Sequence, residues 1–192
     1  MITALIINVD STPMAGADRY LPEPAMGNQK PGTAEYTLKW QEKRNKQLQD
    51  LQDHAFLSKP VAIRWAWAQF NGAGFGYVAG GTADAVKVFF DAIDASKKAS
   101  GFCPTTGVIC GVHPTTQMRV LLNTAIRHGV QIPSWLISTR RVNPWQFIST
   151  SAEGEYPVPW VGLGMKPEGP IEDTFALLKA LGGSILNPAL KE

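Results

Sequence analysis

The chain has 192 residues, 44% of them hydrophobic, enough for one domain that buries roughly two thirds of its unfolded surface. Eighteen Lys and Arg against sixteen Asp and Glu exclude both a strongly basic nucleic-acid coat and an acidic disordered tail. Two cysteines exclude a zinc site built on cysteines alone, and a start without a basic n-region or a long apolar run leads us to expect a cytoplasmic protein with no membrane span.

Residues 2–9 form a β-branched apolar run ending in Asp-Ser-Thr-Pro, the pattern of a central strand that leads into a turn. Prolines and glycines over 14–32 predict an irregular surface loop. The spacing over 33–53, with Thr33 as cap and sparse Tyr36, Trp40, Leu48 and Leu51, predicts a mostly solvated helix. Pro60 opens a second strand over 61–68 in which Trp65 and Trp67 share a face, and core packing is favoured for this pair over an exposed partner surface. Asn71-Gly72 supplies hairpin chemistry into a third strand over 75–79. The Gly-Ala-Gly-Phe-Gly run there lacks a following lysine, so it reads as a glycine-rich hairpin rather than a phosphate loop.

Thr82 is expected to cap a helix whose Val86, Phe89, Phe90 and Ile93 form one apolar face. A short buried strand over 107–111 follows. The next helix starts at Pro114 and carries Met118, Leu121, Leu122 and Ala125 as its stripe, with Gly129 just past its end. The segment 130–161 reads as a Pro/Trp-rich loop broken by short pieces. Ile171, Phe175, Leu177, Leu178 and Leu181 mark a last helix closed by Gly182-Gly183. Strands joined by hairpins and alternating with helices predict an α/β fold, a mixed sheet covered by helices, over 1–192. Cys110, at the end of an apolar strand beside His113, is expected to be a buried, protonated thiol rather than a ligand or nucleophile, and His128 to serve the helix end.

The charge distribution is less even than the totals. Residues 95–152 contain no Asp or Glu, while Lys97, Lys98, Arg119, Arg127, Arg140 and Arg141 all lie among them. The succession of segments has its own character: Asn8-Val9-Asp10-Ser11-Thr12-Pro13 at the end of the first strand, a proline-lysine loop and Lys-rich helix over 24–44, ADAVKVFFDAIDA over 83–95 and LLNTAIRHGVQIPSWL over 121–136. Together these resemble the predicted 3′–5′ exonucleases related to the proofreading domain of family B DNA polymerases, often phage-encoded. The resemblance covers about 160 residues in order and implies a ribonuclease-H-like fold of the four-acid (DEDD) type.

Such enzymes hold two divalent cations with carboxylates that activate water and steady the leaving oxygen. At the matching positions this chain has Asn8 for an Asp, Asp10 for a Glu, Gln117 for the second-motif acid and Asn143 for the third, and no terminal Tyr-x-x-x-Asp helix follows the leucine-rich one. Glu172 and Asp173 begin a helix, where the dipole accounts for them. The resemblance therefore implies a catalytically degenerate exonuclease domain, with Asp10 as a remnant metal ligand and Mg or Mn as cofactor only if nuclease activity persists. Arg119, Arg140 and Arg141 with Trp135 and Trp145 have the chemistry of a single-stranded DNA or RNA groove; the alternative for them is a tryptophan-anchored loop with solvated arginines. Two functions follow: nucleic-acid binding in phage or mobile-element replication, or a protein-interaction module, such as a phage-encoded inhibitor or structural partner, that reuses the fold.

Overall fold

In a computed structural model of the chain, the described residues are 2–28, 30–51, 55–71, 74–148, 156–157, 161 and 164–182. The predicted hairpin tip at Gly72, the end of the first helix at Asp53, and Pro159, Trp160 and Gly183 lie outside them. The longest strands come first. Strand β1 (Ile2–Pro13) pairs antiparallel with β2 (Ser58–Phe70), which pairs antiparallel with β3 (Phe75–Ala83). On its other side β1 runs parallel to β4 (Val108–Cys110), and β4 runs parallel to β5 (Arg140–Val142).

The strand order β3-β2-β1-β4-β5 is a mixed sheet of ribonuclease-H-like arrangement, flanked by helices on both faces. Alternation along β1 explains its unbroken apolar run, because both faces are covered. Leu5, Ile7 and Val9, with Ile63, Trp65, Trp67 and Ile109, meet Phe89, Phe90 and Ile93 of α2 (Val86–Lys97), Met118, Leu121 and Ala125 of α3 (Pro114–Arg127), and Leu136 of α4 (Ser134–Ser138). Ala4 and Ile6, with Ala66, Ala68, Val108 and Cys110, meet Ile171 and Leu178 of α5 (Pro170–Leu181). Burying one Phe or Leu side chain in such a layer is worth about 1.5–3 kcal/mol. The expected stripes of α2 and α3 are thus the faces that pack on the sheet; from α5, Ile171, Phe175 and Leu178 pack there too, while its Leu177 and Leu181 pack with Trp145.

The solvated helix α1 (Ala34–Asp50) starts at Thr33, whose Oγ1 accepts the Tyr36 N–H at 3.1 Å. Its Arg44 donates to the carbonyls of Asp18 and Pro22, at 2.9 and 3.3 Å, and so ties down the irregular loop. Gly129, with φ 62°, follows α3 in the left-handed conformation that a Cβ disfavours.

One expectation is corrected. Thr82 does not cap α2: it lies within β3, which runs on to Ala83 because it stays in register with β2, Arg64 facing Thr82 and Ile63 facing Ala83. The helix then starts after Ala85, with no side-chain cap. Within 130–161, the short pieces that break the loop are α4, the sheet strand β5 and a 3-10 turn at Pro144–Phe147. Pairing with β4 makes β5 a strand, and that partner is remote in sequence.

Candidate functional site

The sheet changes direction at β1: β2 lies on one side and its parallel partner β4 on the other. In α/β sheets the crevice outside the carboxyl ends of the strands at such a point is the usual binding place. β4 ends at Cys110, opposite Ile6, whereas β1 continues to Pro13, so Asn8 and Asp10 stand beyond the end of β4. The register of β1 on β2 shifts between Asp10 and Ser11, a bulge that re-aims the strand at this point.

The chain leaves β4 through Gly111. A Cβ there would overlap the Ile7 carbonyl oxygen, so the close approach of this turn to β1 needs glycine. His113 follows with φ 51° and ψ 52°, a left-handed conformation uncommon for a residue with a Cβ. It turns the backbone so that Pro114 begins α3 beside the end of β1.

Two adjoining clefts result, with His113 and Thr116 in the wall of both. The first, of about 190 Å³, is lined by Asn8, Ser11, Gln117 and Tyr156 among others. The second, of about 210 Å³, is lined by Thr115, Arg141, Asn143 and Gln146. Among the described residues no carboxylate lines either cleft. Their polar groups are amides, hydroxyls, an imidazole and a guanidinium, and Val9, Val112, Val120 and Pro170 add an apolar part to the first cleft.

Of the expected acid positions, Asn8 and Gln117 meet in the first cleft as neutral groups, while Asn143 lines the second. Asn8 is buried and donates from Nδ2 to Asp10 Oδ1 at 3.0 Å. Gln117 Nε2 donates to Asn8 Oδ1 across 3.5 Å, and Gln117 Oε1 is buried with no hydrogen-bond partner. Asn143 Oδ1 accepts the Trp145 N–H at 3.1 Å, so the side chain at the third acid position caps the 3-10 turn. Asp10 is half-exposed, and its Oδ2 receives the Arg64 guanidinium at 2.7 Å.

A divalent cation does not fit this donor set. Both oxygens of Asp10 face hydrogen-bond donors, one of them a guanidinium, and the nearby oxygens belong to uncharged amides. Among the described residues no three His, Cys, Asp or Glu side chains are grouped as a metal site. The late acid Asp173 is buried at the start of α5. There it accepts the N–H groups of Glu168 and Gly169, at 3.1 and 3.3 Å, and the Tyr156 hydroxyl at 2.7 Å. Burial, then the bond to Asp173, push the Tyr156 hydroxyl well above its ordinary pKa.

The expected aromatic-basic groove does not assemble. Trp145 is fully buried against Tyr156 and Leu177, with Nε1 donating to Thr174 Oγ1 at 3.0 Å, and it offers no face to a base. Trp135 is buried beside Trp67 and Phe102; its Nε1 donates to Asp94 at 2.8 Å and Lys97 sits 5.0 Å from its ring centroid. That bond, then Lys97, hold the Asp94 carboxyl below its ordinary pKa. Arg140 and Arg141 lie on opposite faces of β5, Arg140 towards the Cys110 side. Arg119 is exposed on α3 and lines neither cleft. Of the five expected groove residues, Arg141 alone lines the second cleft, with its Nε buried and unpaired.

Arg64, Tyr156 and Asp173 were not legible in the sequence as parts of this region. Arg64 becomes visible only from the register that sets it opposite Asn8. Compared with known proteins, the chain matches no family model and no curated protein sequence.

Proposed function

We propose that this ribonuclease-H-like domain is a degenerate relative of the 3′–5′ exonucleases that binds single-stranded nucleic acid at the carboxyl ends of β1, β4 and β5 without metal-dependent cleavage. The observation that carries this reading is the acid-free lining of the two clefts, at the place where the resembling enzymes need carboxylates. Phosphates are drawn to the wall formed by Arg141 and the N-terminal end of α3, where the Thr115 and Thr116 hydroxyls add donors. Binding is electrostatic and uses neither Trp135 nor Trp145.

The test is fluorescence-anisotropy titration with labelled single-stranded DNA and RNA, at several salt concentrations, with and without chelator. Binding that falls steeply with salt and ignores chelator is expected, and Arg141→Ala reduces the salt slope by about one. Absence of salt-dependent binding refutes the reading.

A second reading, the protein-interaction module, draws on the sheet edge. β3 is a long edge strand with no charged residue and with exposed Tyr77 and Val78, whereas soluble proteins usually blunt such edges with charge. Salt-insensitive capture of a single protein that is lost on Val78→Lys would favour it. No described helix is long and apolar enough to cross a membrane.

A further inference from the structure

We propose that Arg64 is the site's own cation: its guanidinium takes the place beside Asp10 that a divalent metal holds in the exonuclease family, and charge-balances the end of β1 without metal. The inference rests on the exonuclease-related reading above, but its chemistry is local. Cross-strand pairing puts Arg64 directly opposite Asn8 and diagonal to Asp10, within reach of a long side chain. On that face of β2 its neighbours are Ala62, Ala66 and Ala68, and it meets the one carboxylate of β1.

Three contacts form a connected chain from β2 to α3. Arg64 donates to Asp10 Oδ2 at 2.7 Å, Asn8 Nδ2 to Asp10 Oδ1 at 3.0 Å, and Gln117 Nε2 to Asn8 Oδ1 at 3.5 Å. Asp10 fixes which way the Asn8 amide points, and Asn8 in turn fixes Gln117. A carboxylate at position 8 would clash with Asp10 in charge, whereas the amide donates to it. Asn8 and Arg64 are therefore complementary replacements: one removes a negative charge and the other supplies the positive charge that Asp10 still requires. Another acid on this side, Asp173, is occupied by Tyr156 and the backbone before α5.

The experiment is a manganese titration of the full chain, read by the electron paramagnetic resonance of free Mn²⁺, on wild type, Arg64→Lys, Arg64→Ala and the double variant Arg64→Ala/Asn8→Asp. Wild type and Arg64→Lys are expected to show no saturable binding. Arg64→Ala should deplete free Mn²⁺ roughly fivefold more than these two at the same metal concentration, still without saturating, the upper end for an exposed ion pair. The double variant should gain a saturable site that Asp10→Asn removes. Saturable binding by wild type that is lost in Asp10→Asn overturns the proposal, as does equal depletion of free Mn²⁺ by Arg64→Lys and Arg64→Ala, a comparison that stands even if the double variant fails to fold. Oligonucleotide binding is measured separately, so failure of the nucleic-acid reading and failure of the Arg64 role are distinguishable.

Discussion

Replacing Trp145 by phenylalanine separates a core tryptophan from a groove tryptophan. The indole is fully buried, stacks edge-on to Tyr156 at 4.7 Å between ring centroids, and donates to a Thr174 hydroxyl that is itself buried. The smaller ring leaves a cavity and an unpaired Thr174 oxygen, which together should cost about 2–4 kcal/mol. Against a total of about 5–15 kcal/mol the variant stays folded. In a chain of this length that loss lowers Tm by roughly 4–16 °C. Thermal unfolding by circular dichroism reads the first quantity, and anisotropy with single-stranded oligonucleotide, well below the lowered Tm, reads affinity. Affinity should be unchanged. A stacking role would instead cost about 1–3 kcal/mol, or roughly 5- to 150-fold in Kd. A loss of that size with an unchanged Tm refutes the core assignment and restores the groove.

Further predictions concern the turn, the thiols and the buried hydroxyl. Gly111→Ala forces β1 and β4 apart at the Ile7 carbonyl and should destabilise by about 1–3 kcal/mol in urea unfolding; a neutral result would show that the turn is not tightly held. The exposed Cys103 thiol is lowered to about 7, first by the Thr105 hydroxyl, so its alkylation rate should rise through neutral pH. Burial pushes Cys110 up to about 12, and it should react only on unfolding; two equally fast thiols in the folded chain would contradict this. Tyr156 has a folded pKa raised above its ordinary 10.0, so the stability it contributes is present below about pH 10 and is lost as pH rises towards the folded value. Tyr156→Phe should cost about 1.5–3 kcal/mol at neutral pH through the lost bond to Asp173, and should flatten the alkaline fall in stability; an identical alkaline profile would refute the assignment.

The central strand, the stripes of α2 and α3, the Thr33 cap and the Gly129 exit were legible in the sequence because each rests on local periodicity or local backbone chemistry. β5 was not, since three residues carry no period and its pairing with β4 is remote. Thr82 was misread because a cap residue before an apolar stripe looks the same whether or not the preceding strand extends through it. The site was legible in part. The neutral residues at 8, 117 and 143 were visible as substitutions, and Asn8 and Gln117 do meet. Their use was not visible: Asn143 became a cap, and Asn8 a donor to Asp10. For Trp135 and Trp145 the sequence left open a groove and a tryptophan-anchored loop; both are buried through partners elsewhere in the chain, Asp94 for one and Thr174 for the other, as in the second of these. Arg64 appears only when strand register is known, since nothing in its own neighbourhood marks it.

A nuclease assay on end-labelled single-stranded DNA and RNA, with excess protein and manganese or magnesium, tests directly whether the domain lacks metal-dependent cleavage. The account predicts no cleavage above that of an Asp10→Ala control. Cleavage that requires metal and disappears in Asp10→Ala would contradict it, because it would show that Asp10 releases Arg64 and holds a cation after all.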